Sequence, residues 1–180
     1  MKAGRPARVV LVGFMGAGKS TVGPLVARRL GWEFVDLDDE IEAATGRTVP
    51  EIFATDGEPA FRAAERAAAE RVCTYEHLVL ATGGGAFTVP ETRLVLQRGA
   101  LTVWLRCDID ALLARIPADG SRPLAMNRAT IHSLLEGREP SYALADLTVD
   151  TTRTAPAEVA RIVAEAATRG RNEGEGTTDG

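Results

Sequence analysis

Lysine is almost missing from this chain: Lys2 and Lys19 stand against nineteen arginines. Cysteine is as scarce. Cys73 and Cys107 form no metal-ligand spacing and no disulfide framework, and no charged-then-apolar segment precedes the first strand candidate, so a reduced, cytoplasmic setting is expected. No apolar run approaches the roughly 20 residues of a membrane-spanning helix, so no membrane partner is expected. An excess of positive charge is also absent: the formal charge of −4 leaves no basic footprint for nucleic acid or anionic lipid. No internal repeat divides the 180 residues, and 45% apolar content at this length fits one globular domain, residues 1–169. Residues 170–180 are polar and glycine-rich and read as a disordered tail.

What the chain does have is an alternation of short β-branched runs and helical patterns. "ARVVLV" (7–12) reads as a strand buried on both faces. Beyond it, Val22, Leu25, Val26 and Leu30 recur at helical spacing, and Gly31 stands where a C-terminal cap belongs. "WEFVDLDDEIEAATG" (32–46) reads as a second strand ending near Asp36, then a helix stopped at Gly46. "HLVLA" (77–81), "LTVWL" (101–105) and "LTVD" (147–150) are further strands, with helices over the alanine-rich stretch 58–72 and over 156–168. Such alternation implies an α/β fold, a parallel sheet covered on both faces by helices.

Between the first strand and the first helix lies "GFMGAGKST" (13–21), in which Gly13, Gly18, Lys19 and Ser20 satisfy G-x-x-x-x-G-K-[ST] in the required strand-to-helix context. Glycine lets the backbone adopt positive φ and bring N–H groups against phosphate oxygens without a side chain intruding. The following helix adds partial positive charge at its start. A chain that otherwise uses arginine keeps lysine here, where a compact point charge suits a closed loop better than a planar fork. Lys19 reaches the β and γ phosphates in this reading and Ser20 ligates Mg²⁺. The candidate ATP contacts are Gly13, Met15, Gly16, Ala17, Gly18, Lys19, Ser20 and Thr21.

Nucleotide binding alone does not separate a switch from a transferase. The N-K-x-D guanine signature is absent. The "HLVLA" strand ends in "TGGG" (82–85) rather than in a carboxylate, and three glycines at a strand's C-terminal end invite backbone contact with a ligand at the sheet's mouth. Carboxylates occur instead at Asp36 and Asp38, which share one face if the second strand continues that far. One can organise Mg²⁺ while the other meets a hydroxyl.

"GFMGAGKSTVG", "DLDDEIE", "GRTVPEIFATDGEPAFRAAE", "TGGGA", "RPL" and "GREPSY" occur in an order and spacing that resembles shikimate kinase, the family that phosphorylates the 3-hydroxyl of shikimate in aromatic amino-acid biosynthesis. The resemblance covers roughly residues 8–153. It implies a P-loop kinase fold of five parallel strands in the order 2-3-1-4-5, with a mobile lid near 116–128 and a substrate-binding segment near 37–65. Its implied partners are ATP, as co-substrate with Mg²⁺, and shikimate, acting on a monomer.

Shikimate carries one carboxylate and three ring hydroxyls, so its pocket needs a cationic clamp at one end and hydroxyl partners at the other. Arginine matches a carboxylate bidentately. By matching motif, Arg62 and Arg138 are that clamp, with Glu65 one turn beyond Arg62 holding its guanidinium. The resemblance further gives Asp38 to the reacting hydroxyl, Gly83, Gly84 and Gly85 to backbone contacts, and Phe53 and Phe61 to an apolar wall. Asp36 joins Ser20 at Mg²⁺, through water. Arg122 is the lid arginine that meets the γ-phosphoryl group, and Arg115 and Arg153 flank adenine. Ser141 departs from the leucine common in the family. The catalytic set so implied is Lys19, Asp38 and Arg122. Two alternatives share much of this pattern: a gluconate-kinase-like enzyme, and a nucleotide-binding partner protein without transfer activity.

Overall fold

The computed structural model describes residues 6–116 and 128–169. Arg122, most of the expected lid and the expected tail lie outside the described residues.

Five strands form: β1 (Arg8–Val12), β2 (Glu33–Asp36), β3 (Leu78–Ala81), β4 (Ala100–Arg106) and β5 (Leu147–Asp150). Val9, Val10, Leu11 and Val12 have no exposed surface. A strand without a wet face belongs in the middle of a sheet covered on both sides. Accordingly β1 pairs in parallel with β3 on one side and β4 on the other, Val10 lying opposite Leu80 and Thr102. β2 adds outside β3, and β5 outside β4. The order is β2-β3-β1-β4-β5, all parallel, as the resemblance implied.

The helices are α1 (Lys19–Leu30), α2 (Leu37–Thr45), α3 (Val49–Val72), α4 (Pro90–Gln97), α5 (Ile109–Arg115), α6 (Arg128–Tyr142) and α7 (Pro156–Arg169). Gly31 and Gly46 end α1 and α2 in the left-handed region, at φ 67 in both, and each returns its N–H to the helix it closes. α3 starts well before the expected residue 58. Thr48 and Glu51 form a capping box, each satisfying the other's backbone N–H, and Gly57 (φ 79, ψ 178) kinks the helix between this first stretch and the alanine-rich one. α4, α5 and α6 could not be given bounds from the sequence: α5 is only seven residues long, and Gly137 and Pro140 interrupt the pattern of α6. Among the described residues no helix is long and apolar enough to cross a membrane.

α1 packs against α7 and β3 and passes close to β2. At Gly23 a Cβ would lie 2.2 Å from Cε2 of Phe34 on β2, so only glycine allows this approach. Gly23→Ala is therefore expected to destabilise the fold by about 1–3 kcal/mol through overpacking, although alanine raises helix propensity by up to about 1 kcal/mol. Urea unfolding reads the result as a lower midpoint at unchanged slope; a raised midpoint would show that Phe34 moves aside freely.

Because every strand is parallel, the loops leaving β1, β2, β3 and β4 gather at one edge of the sheet, where ligands of open α/β sheets bind.

Candidate active site

Two adjoining cavities open at that edge, of about 560 and 730 Å³, and Met15, Asp38, Gly83 and Gly84 line both. The first is framed by the loop between β1 and α1. Gly13, Gly16 and Gly18 adopt φ of 144, 79 and 102. A Cβ on Gly13 would stand 2.7 Å from the Leu105 carbonyl at the end of β4, so the loop's entry requires glycine on two counts. Lys19 Nζ donates to the carbonyls of Gly13 (2.7 Å) and Phe14 (2.9 Å), which holds the ammonium over the loop. Thr151 Oγ1 donates to the carbonyl of the buried Ala17 at 3.0 Å, tying the end of β5 to the same loop.

Ser20, on the first turn of α1, donates to Asp36 Oδ2 at 3.1 Å. The other oxygen of Asp36 accepts from the N–H of Asp38 at 3.0 Å, making Asp36 the N-cap of α2. This corrects the expectation that Asp36 and Asp38 share a strand face. The strand stops at Asp36 because its side chain starts a helix, and Asp38 sits in the first turn of that helix. The turn separates the two carboxylates: Asp36 faces Ser20 at the phosphate loop, while Asp38 faces Gly83 at the junction of the cavities. Ser20 and Asp36 are oxygen donors of the kind Mg²⁺ takes alongside phosphate oxygens, and among the described residues no cluster of three or more His, Cys, Asp or Glu offers an all-protein cage. The donor set fits a cation that arrives with a nucleotide.

Arg115 closes the far side. Its guanidinium donates to the carbonyls of Thr151 (2.8 Å) and Thr152 (3.3 Å) and contacts Cys107 Sγ at 3.3 Å. Arg153 is exposed in the segment after β5 and is not among the residues lining this cavity.

The second cavity is walled by α2, α3 as far as Glu65, α6 and the loop after β3. Phe53 and Phe61 stack with ring centroids 4.5 Å apart on one wall. Arg62 Nη1 pairs with Glu65 Oε2 at 2.7 Å, and Glu58 Oε1 takes its Nε and Nη2 at 3.3 and 3.2 Å. Glu65 has no exposed surface; burial pushes its carboxyl pKa up, opposed by the Arg62 charge. Arg138 lies over the Phe14 ring at 5.4 Å.

The three glycines after β3 face this cavity one by one. A Cβ on Gly83 would lie 3.2 Å from Asp38 Oδ1 and 3.3 Å from Glu65 Oε1; on Gly84, 2.9 Å from Arg138 Nη1; on Gly85, 2.3 Å from Arg62 Nη2. Gly83 thus makes room for two carboxylates and Gly84 and Gly85 for one guanidinium each, all along a single backbone stretch. Gly85→Ala is expected to fold and to lose at least about tenfold in affinity for the ligand of this cavity, because Arg62 is held by two carboxylates and cannot retreat without breaking a pair. Nucleotide affinity should be unchanged, and titration calorimetry with each ligand reads both; wild-type affinity for both would mean that the guanidinium yields at no cost.

Most of the sequence-expected residues therefore converge here: Lys19, Ser20, Asp36 and Arg115 on the first cavity, Phe53, Phe61, Arg62, Glu65 and Arg138 on the second, and Asp38 between them. Sequence reasoning missed Glu58, four residues before Arg62 and on the same helical face, a spacing that signals an ion pair. It also missed Glu42, whose Oε1 accepts from the N–H of Val49 at 2.9 Å and holds the start of α3 against α2.

The family model for shikimate kinase matches residues 15–168. A shikimate kinase of Moorella thermoacetica is 46% identical over 163 residues, covering 89% of this chain and 94% of the relative. One of Cereibacter sphaeroides is 45% identical over 161 residues, covering 88% and 81%. Among solved structures, a shikimate kinase from Acinetobacter baumannii in complex with shikimate superposes with a TM-score of 0.87 at 36% identity, covering 92% of this chain and 95% of that one.

Proposed function

The chain belongs to the shikimate kinase family, and from that premise we propose that it transfers the γ-phosphoryl group of ATP to the 3-hydroxyl of shikimate, giving shikimate 3-phosphate and ADP. The observation that carries the reading is Asp38, the carboxylate common to a phosphate-loop cavity and an arginine-lined one. A group at that junction faces the donor on one side and the acceptor on the other.

The first cavity takes ATP. The loop amides and Lys19 neutralise the phosphates, and Arg115 borders the base. Ser20 and Asp36 would hold Mg²⁺, which supplies further neutralisation of the β and γ phosphates when bound. The second cavity takes shikimate. Arg62 and Arg138 receive its carboxylate, the Gly83, Gly84 and Gly85 backbone borders its ring, and Phe53 and Phe61 cover its apolar side. Asp38 accepts from the 3-hydroxyl and aims an oxygen lone pair at the γ-phosphorus. Transfer is direct and in line, and a loose transition state asks for little proton removal before the bond to ADP breaks. Positioning is thus the larger part of what Asp38 supplies, and a carboxylate of ordinary basicity suffices. We further place this activity in the cytoplasm, in a single-domain monomer.

A coupled ADP-release assay across shikimate, gluconate and nucleoside monophosphates, each with and without Mg²⁺, tests the assignment. Turnover with shikimate alone, and only when Mg²⁺ is present, is the expected result. Turnover with gluconate or a nucleotide in its place, or ATP binding with no turnover on any acceptor, overturns it.

A further inference from the structure

Phosphoryl transfer as derived above makes no use of Tyr142, yet its hydroxyl is bonded to Gly84, a residue that lines the acceptor pocket. Tyr142 stands in the last turn of α6, one turn beyond Arg138, and is fully buried. Its hydroxyl donates to the Gly84 carbonyl at 2.5 Å, and both that hydroxyl and Arg138 Nη1 crowd Gly84, standing 3.7 and 2.9 Å from where a Cβ would be. A phenol has one proton to give and lone pairs to accept with. Here the proton goes to the glycine peptide. Burial pushes the phenol pKa up to about 12 against the pull of the Arg138 charge, so the group stays a neutral donor across the neutral range. The ring packs 5.9 Å from Trp104, centroid to centroid, and a phenylalanine ring would fill the same space. Packing therefore accounts for the ring and leaves the hydroxyl unexplained.

We propose that Tyr142 is a positioning residue: its hydroxyl fixes the Gly84 peptide, against which the Arg138 guanidinium packs, and so sets the width of the pocket between the carboxylate clamp and the glycine backbone. The inference rests on reading the second cavity as the shikimate site. The two clamp arginines are steadied differently. Arg62 is locked by Glu58 and Glu65, whereas Arg138 rests on the Phe14 ring and against the Gly84 backbone that Tyr142 holds. A bidentate grip on a carboxylate needs both guanidinium planes fixed before the ligand arrives. Without the hydroxyl the Gly84 carbonyl loses its partner, and the peptide against which Arg138 packs gains a freedom that binding must remove.

Tyr142→Phe should raise the KM for shikimate about tenfold, the worth of one buried hydrogen bond, and lower the melting temperature by a few degrees through the unpaired Gly84 carbonyl, while kcat and the KM for ATP stay at wild-type values. A shikimate KM that does not move, or both KM values rising together, overturns the proposal. Arg138→Ala, measured alongside, separates the two layers of argument. If it weakens shikimate binding and Tyr142→Phe does not, the positioning role fails alone; if Arg138→Ala is also silent, the acceptor-site reading fails with it. A second readout needs no substitution at this position. The chain has two tyrosines, and Tyr75 is 62% exposed, so uniform 3-fluorotyrosine labelling gives one buried and one exposed ¹⁹F resonance. Shikimate should shift the buried resonance and leave the exposed one in place; a buried resonance that ignores saturating shikimate contradicts the proposal.

Discussion

Asp38→Asn is expected to lower turnover at least about 10²-fold, the usual worth of a placed acid/base group, with the KM for ATP and the melting temperature close to wild type. The substitution keeps size and shape, and the backbone N–H that Asp36 caps is untouched. In the proposed mechanism, what it removes is the negative acceptor for the reacting hydroxyl. Asparagine can present its carbonyl to that hydroxyl, so the acceptor should still bind; it cannot take the proton as the phosphorus–oxygen bond forms. The neighbouring carboxylate gives the experiment a favourable feature. Asp38 is one of the groups that raise the pKa of the buried Glu65, so neutralising it relieves a like-charge contact rather than creating an unpaired charge. Loss of activity therefore comes without loss of fold. Steady-state rates at saturation in both substrates, with a thermal melt, check this; turnover within a few-fold of wild type removes Asp38 from the chemistry.

The clamp carries the second large effect, and its two halves should fail differently. Arg138→Ala is expected to weaken shikimate binding about 10²-fold, the scale of a charge-assisted bidentate contact, with ATP affinity and stability little changed, since its packing partner is an aromatic ring. Arg62→Ala should lose as much affinity and also stability, because it leaves Glu65 buried without its cation. The sign of the pH dependence follows. Burial already raises the folded-state pKa of Glu65 above the ordinary carboxylate value, and Arg62 opposes that rise. In the variant only the weaker pull of Arg138 opposes the rise, so Arg62→Ala should be relatively most stable below the ordinary glutamate pKa and lose stability as pH climbs through the raised one. Calorimetry for each ligand and melts across pH test both halves. Shikimate affinity retained while ATP affinity falls would reverse the assignment of the two cavities.

What could be read from the sequence divides by how local its cause is. The phosphate loop was legible because its glycines, lysine and serine act through the backbone they sit on, and the caps at Gly31 and Gly46 were legible for the same reason. The strand order came from the resemblance, since nothing in five short apolar runs says which neighbours which. Asp36 and Asp38 were expected on one face because period-2 spacing was applied to residues that straddle a strand end; the side chain of Asp36 bonding the N–H of Asp38 is what turns the chain into a helix there. The start of α3 was missed although Thr48 and Glu51 carry the capping-box spacing. The correspondence of Gly83, Gly84 and Gly85 with Asp38, Arg138 and Arg62 joins four segments distant in sequence, and only tertiary structure brings it out. Tyr142 is the same kind of case: its sequence neighbourhood marks a helix end, and its role depends on a carbonyl 58 residues away.

The central claim is that one carboxylate joins a phosphate cradle to a two-arginine acceptor pocket. A crystal structure of the chain with MgADP and shikimate bound together tests it most directly. The account predicts the shikimate carboxylate between Arg62 and Arg138, its 3-hydroxyl within hydrogen-bonding distance of Asp38, and that hydroxyl pointing along the line toward the terminal phosphate. Shikimate bound with its carboxylate turned away from both arginines, or with another hydroxyl presented to Asp38, would contradict it.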